Sequence, residues 1–66
     1  MPIDVMLIKK IMLEKDITLD DLAKNANLSK SRISKILNSN ANLRNTTIKK
    51  LAGALNVKPV DILKEV

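Results

Sequence analysis

Residues 26–38 read A-N-L-S-K-S-R-I-S-K-I-L-N. Within them Lys30, Arg32 and Lys35 alternate with Ser29, Ser31 and Ser34. Ammonium and guanidinium groups donate hydrogen bonds and carry positive charge, while serine hydroxyls both donate and accept. This is chemistry for holding an anion or reading an edge of hydrogen-bonding groups. It is not chemistry for breaking bonds. The chain has no His to act as general base or metal ligand and no Cys to supply a thiolate. No Gly-rich phosphate loop or set of paired carboxylates is visible either. The sequence therefore predicts no enzyme activity, no metal and no cofactor.

The charge pattern extends the same reading. The net charge is +5, and the seven acids are Asp4, Glu14, Asp16, Asp20, Asp21, Asp61 and Glu65. From Leu22 to Val60 there is no acid, while that span holds Lys24, Lys30, Arg32, Lys35, Arg44, Lys49, Lys50 and Lys58. A basic centre between mixed-charge flanks points to a polyanionic partner, against the plainer alternative of a solvated basic surface. Aromatic residues, which single-strand binders use to stack bases, are absent. Duplex nucleic acid is thus the better match. The first residues, M-P-I-D-V-M-L-I-K-K, do not read as a signal peptide, because Asp4 precedes an apolar run that stops at Lys9. The lack of cysteine suits a reducing, cytoplasmic setting.

The elements that must position these side chains all have helical spacing, and the chain length allows one domain over residues 1–66. The expected fold is all-α, a compact bundle of five short helices. The first spans roughly 3–15, with Pro2 at its start and Ile8, Ile11 and Met12 inward, Val5 and Leu7 beside them. The second spans 19–26, capped by Thr18, with Asp20 and Asp21 in a first turn whose dipole favours anions. The third spans 30–38, capped by Ser29, and residues 39–45 form a polar loop. The fourth spans 47–56, capped by Thr46 or Thr47, with Ile48, Leu51, Ala52 and Leu55 inward. The fifth opens at Lys58-Pro59 and includes Val60, Ile62 and Leu63.

The second and third helices are joined only by Asn27-Leu28-Ser29. A link that short forces a sharp crossing. The crossing needs a small residue in the second helix (Ala23), a turn residue tolerant of positive φ (Asn27), an inward apolar residue after it (Leu28), and anchors further on (Ile33 and Ile36). The chain supplies each at the required offset. A generic helical hairpin has no reason to combine them.

With these residues in place, the stretch I-T-L-D-D-L-A-K-N-A-N-L-S-K-S-R-I-S-K-I-L-N, residues 17–38, resembles the helix-turn-helix of the phage-repressor and Cro-like (XRE) family. T-I-K-K-L-A-G-A-L-N-V, residues 47–57, resembles that family's fourth helix and K-P-V-D-I-L its fifth. The resemblance implies a five-helix domain that binds double-stranded operator DNA as a homodimer and regulates transcription, most often as a repressor. On a helical wheel of about 100° per residue, Ile33, Ile36 and Leu37 share one side, Ser31, Lys35 and Asn38 lie opposite, and Arg32 and Ser34 flank them. Family members insert the first half of the third helix in the major groove. The resemblance thus implies base contacts from Lys30, Ser31 and Lys35, with Ser34 a candidate beside them. Arg32 can serve bases or phosphate, and its flanking place favours phosphate. Ser29 and the amides at the start of the third helix are phosphate candidates. By resemblance Thr18, Asn38, Asn42 and Arg44 join them, while Asn40 and Asn45 read better as turn residues.

Two positions depart from the family. Many members begin the second helix with Gln against the backbone of DNA, where this chain has Leu19. Many also pair an Arg in the first helix with a Glu ending the third. Here those positions are Met12 and Leu37, so an apolar contact is expected in place of an ion pair. Family members dimerise through the fifth helix, which makes Val57, Val60, Leu63 and Val66 the dimer candidates, with plain core packing as the alternative for each. A competing function is an antitoxin or protein-interaction module that uses the same fold to bind a partner protein. The acid-free centre favours DNA.

Overall fold

The computed structural model describes residues 2–38 and 43–64. Among them are four α-helices: α1 (Val5–Glu14), α2 (Leu19–Ala26), α3 (Lys30–Asn38) and α4 (Asn45–Leu55). A single 3-10 turn, Pro59–Ile62, follows where a fifth helix was expected. The reason is local. Pro59 opens the turn without an N–H to donate, and the chain beyond it is drawn into an extended path. Asp4 N–H donates to the Ile62 carbonyl at 2.8 Å, and Lys64 N–H donates to the Pro2 carbonyl at 3.1 Å. Ile3 and Leu63 thereby form an isolated antiparallel bridge, with no strand elsewhere among the described residues.

That bridge also shifts the first helix. Pro2 does not begin it. Asp4 is the N-cap, its Oδ1 accepting from Leu7 N–H at 3.1 Å, and helix begins at Val5. The start of α4 moves the other way. It begins at Asn45, expected in the loop, so Thr46 and Thr47 lie inside the helix rather than capping it. Arg44 occupies the N-cap without a side-chain bond. Leu43 and Ile48, on either side, occupy the positions of a hydrophobic staple and both join the core, which fixes where the helix enters. Thr47 is buried.

Each element places at least one side chain fully inside: Ile8, Leu22, Ile33, Leu51 with Leu55, and Ile62. Burying each of these stabilises by about 1.5–3 kcal/mol. α2 packs against both α3 and α4, with Ala23 and Ala26 buried where the helices approach. α4 in turn carries the 3-10 turn.

Three helices end in the same way. Asn27, Asn56 and Asp16 have φ of 57°, 59° and 55°, in the left-handed region. The amide of the next residue, Leu28, Val57 or Ile17, reaches back to Ala23, Ala52 or Met12 at 2.9, 3.0 and 2.8 Å. This satisfies carbonyls a helix end would leave open, and tucks an apolar residue against the core. The end of α4 gains a second cap: Lys15 Nζ donates to the Leu55 and Asn56 carbonyls at 2.9 and 3.2 Å. A cation there also meets the negative end of the helix.

Gly53 lies inside α4, exposed, and a Cβ built on it meets nothing within 4 Å. Glycine in a helix interior costs about 0.5–1 kcal/mol relative to alanine. Gly53→Ala is therefore expected to raise the thermal midpoint by about 2–8 °C for a domain of this size. An unchanged or lower midpoint in a thermal melt would count against the helical backbone described at this position. No helix among the described residues is long and apolar enough to cross a membrane.

Candidate nucleic-acid interface

The turn that presents α3 is built as its sequence requires. Thr18 caps α2: its Oγ1 accepts from Asp21 N–H, and its own N–H donates to Asp21 Oδ2, both at 3.1 Å. Hydrogen bonds from Thr18 to the Asp21 carboxyl, that of the Thr18 backbone N–H foremost and that of its side chain next, hold it below the usual carboxylate range. Because the folded state lowers that pKa, the cap is intact at neutral pH and is lost as pH falls through the folded value. Asn27 turns the chain in the left-handed region, and Leu28 follows half-buried. Ser29 Oγ accepts from Arg32 N–H at 3.1 Å, capping α3. The amides of Lys30 and Ser31 lead that helix, where an acceptor from outside the helix can meet them.

Within α3, Ile33, Ile36 and Leu37 are buried. Lys30, Ser31, Arg32, Lys35 and Asn38 are exposed, and Ser34 is half-buried. The helix is thus divided lengthwise into an anchoring side and a polar side. On the polar side two candidates are tied together, since Asn38 Nδ2 donates to Ser34 Oγ at 3.3 Å. Lys30 is also engaged. Its Nζ lies 3.0 Å from Asp20 Oδ1, bridging the first turns of α2 and α3, with the side chains 61% and 74% exposed. A pair this exposed contributes at most about 1 kcal/mol to stability.

Beside α3 the fold forms a cleft of about 500 Å³, lined by Leu28, Arg32, Leu43, Arg44, Thr46, Thr47 and Lys50. Arg32 comes from α3, while Arg44 and Lys50 belong to the N-cap and second turn of α4. Three cations therefore surround the start of α4, where unpaired amides and the helix dipole already favour an anion. Thr46 is exposed at the same helix end. The arrangement suits a phosphate oxygen. Lys50 and Thr46 escaped the sequence-based choice of site residues. They lie four apart, on one face of α4, a spacing that would have linked them once Arg44 was placed at the helix start.

Ser29, Lys30, Ser31 and Arg32 therefore stand at the start of α3 and Lys35 in its last turn, with Arg44 across the cleft from Arg32. Thr18 caps the adjacent helix. Asn42 lies outside the described residues, as does Val66 among the dimer candidates. Of the other dimer candidates, Val57 and Leu63 are half-buried against the core, whereas Val60 is 66% exposed. Among the described residues no group of acidic side chains is placed to hold a metal ion.

Among known families, one described as a Cro/C1-type HTH DNA-binding domain matches residues 7–66. Comparisons with curated proteins and with solved structures gave no match.

Proposed function

Since the chain belongs to the Cro/C1-type helix-turn-helix DNA-binding family, we propose that it is a sequence-specific transcriptional repressor working in the cytoplasm. It binds a palindromic operator as a homodimer, with α3 of each copy in the major groove. The observation that carries this reading is the division of α3. Its apolar side is consumed by the core, and its polar side offers Lys30, Ser31 and Lys35 to solvent. Lys donates to guanine O6 and N7, and Ser contacts several bases. Arg32, Arg44 and Lys50 frame the helix with positive charge suited to the backbone of DNA. Ser29 and Thr18 stand at the helix starts beside it, and Asn38 at the end of α3. Two Lys and a Ser carry less base information than Arg, Asn and Gln would, so sequence preference is moderate. For the dimer, Val60 is the candidate with the most free apolar surface, next to Val57 and Leu63.

Binding to random duplex over a salt series tests the reading. If about four to six phosphates are met per monomer, affinity falls by about a thousandfold or more between 50 and 200 mM salt. Selection from random duplexes then yields two inverted half-sites about one helical turn apart, occupied by two copies. No binding to duplex at low salt overturns the DNA reading. A single asymmetric site bound by one copy overturns the dimer.

A further inference from the structure

The two acids that open α2 are used differently. Asp21 turns back to close the cap on Thr18. Asp20 reaches across to α3 and meets Lys30 at 3.0 Å. Lys30 is the first residue of α3, the end that the proposed function places in the major groove. A lysine there would ordinarily be free to swing toward any phosphate, since its ammonium is a point charge on a flexible stem. Asp20 holds it instead. The carboxylate also brings negative charge against α3, whose own charges, Lys30, Arg32 and Lys35, are all positive. Both side chains stay well exposed, so the pair can meet DNA without either group first being uncovered.

Resting on the DNA-binding reading, we infer that Asp20 is a positioning and specificity-determining residue, and that Asp20 and Lys30 read one G·C base pair together. The ion pair sets a donor beside an acceptor. In the major groove a G·C pair offers the complement: acceptors at guanine O6 and N7, and a donor at cytosine N4. Against a phosphate the carboxylate has no matching donor and repels the polyanion, and against an A·T pair, whose N6 donor lies between single acceptors, Lys30 loses the adjacent O6 and N7 acceptors that guanine offers. Asp20 therefore weakens binding to arbitrary sequence while it keeps Lys30 from making sequence-blind contacts.

The test compares wild type, Asp20→Asn, Lys30→Met and the double variant. Each is measured on random duplex over a salt series, and each is put through selection from a randomised duplex library. Asp20→Asn is expected to bind random duplex about three- to tenfold more tightly at low salt. Its log–log salt slope should steepen by about one per monomer as Lys30 becomes free for phosphate. In selection it should lose the G·C preference at one position of each half-site. In the Lys30→Met background Asp20→Asn should leave the salt slope unchanged. A purely structural role at the start of α2 would lower the thermal midpoint in both backgrounds without moving the slope. Wild-type binding with an unchanged slope and an unchanged selected sequence for Asp20→Asn overturns this assignment alone. Wild type that binds no duplex at low salt overturns the DNA reading and this assignment with it.

Discussion

Leu37→Glu is expected to remove about 3–5 kcal/mol of the domain's stability at 25 °C, and adding Met12→Arg is expected to restore part of it. Leu37 is 9% exposed in the last turns of α3, and Met12 packs half-buried from α1 against the same core. A glutamate at 37 would lose most of its hydration without a partner, which costs about 3–5 kcal/mol. A chain of this length has only about 3–10 kcal/mol of stability to lose. The carboxylate would also lie toward the negative end of α3. Where the two side chains adjoin, an arginine at position 12 supplies the missing partner. A volume-conserving Leu37→Met should cost less than about 1.5 kcal/mol, separating the charge from the change of shape. Urea unfolding of the three variants reads the comparison. Should the double variant be no more stable than Leu37→Glu, the two side chains do not share a contact.

The sequence showed the helix-turn-helix because its signals are dense and local. Asn27 and Leu28 stand between two helices whose caps, Thr18 and Ser29, are of the expected type, and the bounds of α2 and α3 match the residues read. The same motif at the ends of α1 and α4 went unread. Asp16-Ile17 and Asn56-Val57 repeat the left-handed residue followed by an apolar one. The link that holds Asp16-Ile17 is nearly as short as the one between α2 and α3, so spacing alone did not single out these turns. The remaining differences come from contacts distant in sequence. The bridge of Ile3 to Leu63 sets where α1 begins and why the last element stays a 3-10 turn, and periodicity within a segment carries no trace of it. The cap that Lys15 gives α4 spans 40 positions in the chain. At the candidate site, wheel geometry correctly separated the buried and exposed sides of α3. It could not find Lys50, which depends on how α3 and α4 are set against each other, nor the pairing of Asp20 with Lys30.

Replacing Arg32, Arg44 and Lys50 together by alanine is expected to lower affinity for duplex DNA by on the order of 10²–10³-fold near physiological salt, with little change in stability. All three side chains are exposed, so their removal opens no cavity in the core, and surface changes of this kind stay within about ±0.5 kcal/mol each. They line one cleft at the start of α4, and the proposed function assigns them to phosphate. Phosphate contacts act through counterion release, which gives the loss a distinct form. With three contacts per monomer removed, the slope of log affinity against log salt should flatten by about 2.7 per monomer, and weakening should be similar across sequences. Lys35→Ala behaves differently if Lys35 faces bases: it changes which sequence is selected more than it changes the salt slope. The contrast matters because any loss of positive charge weakens binding to a polyanion. Only contacts made in the complex alter the slope in proportion to their number. A triple variant that binds more weakly with an unchanged slope would mean that these cations act at a distance, through the overall field, and that the cleft at the start of α4 holds no phosphate.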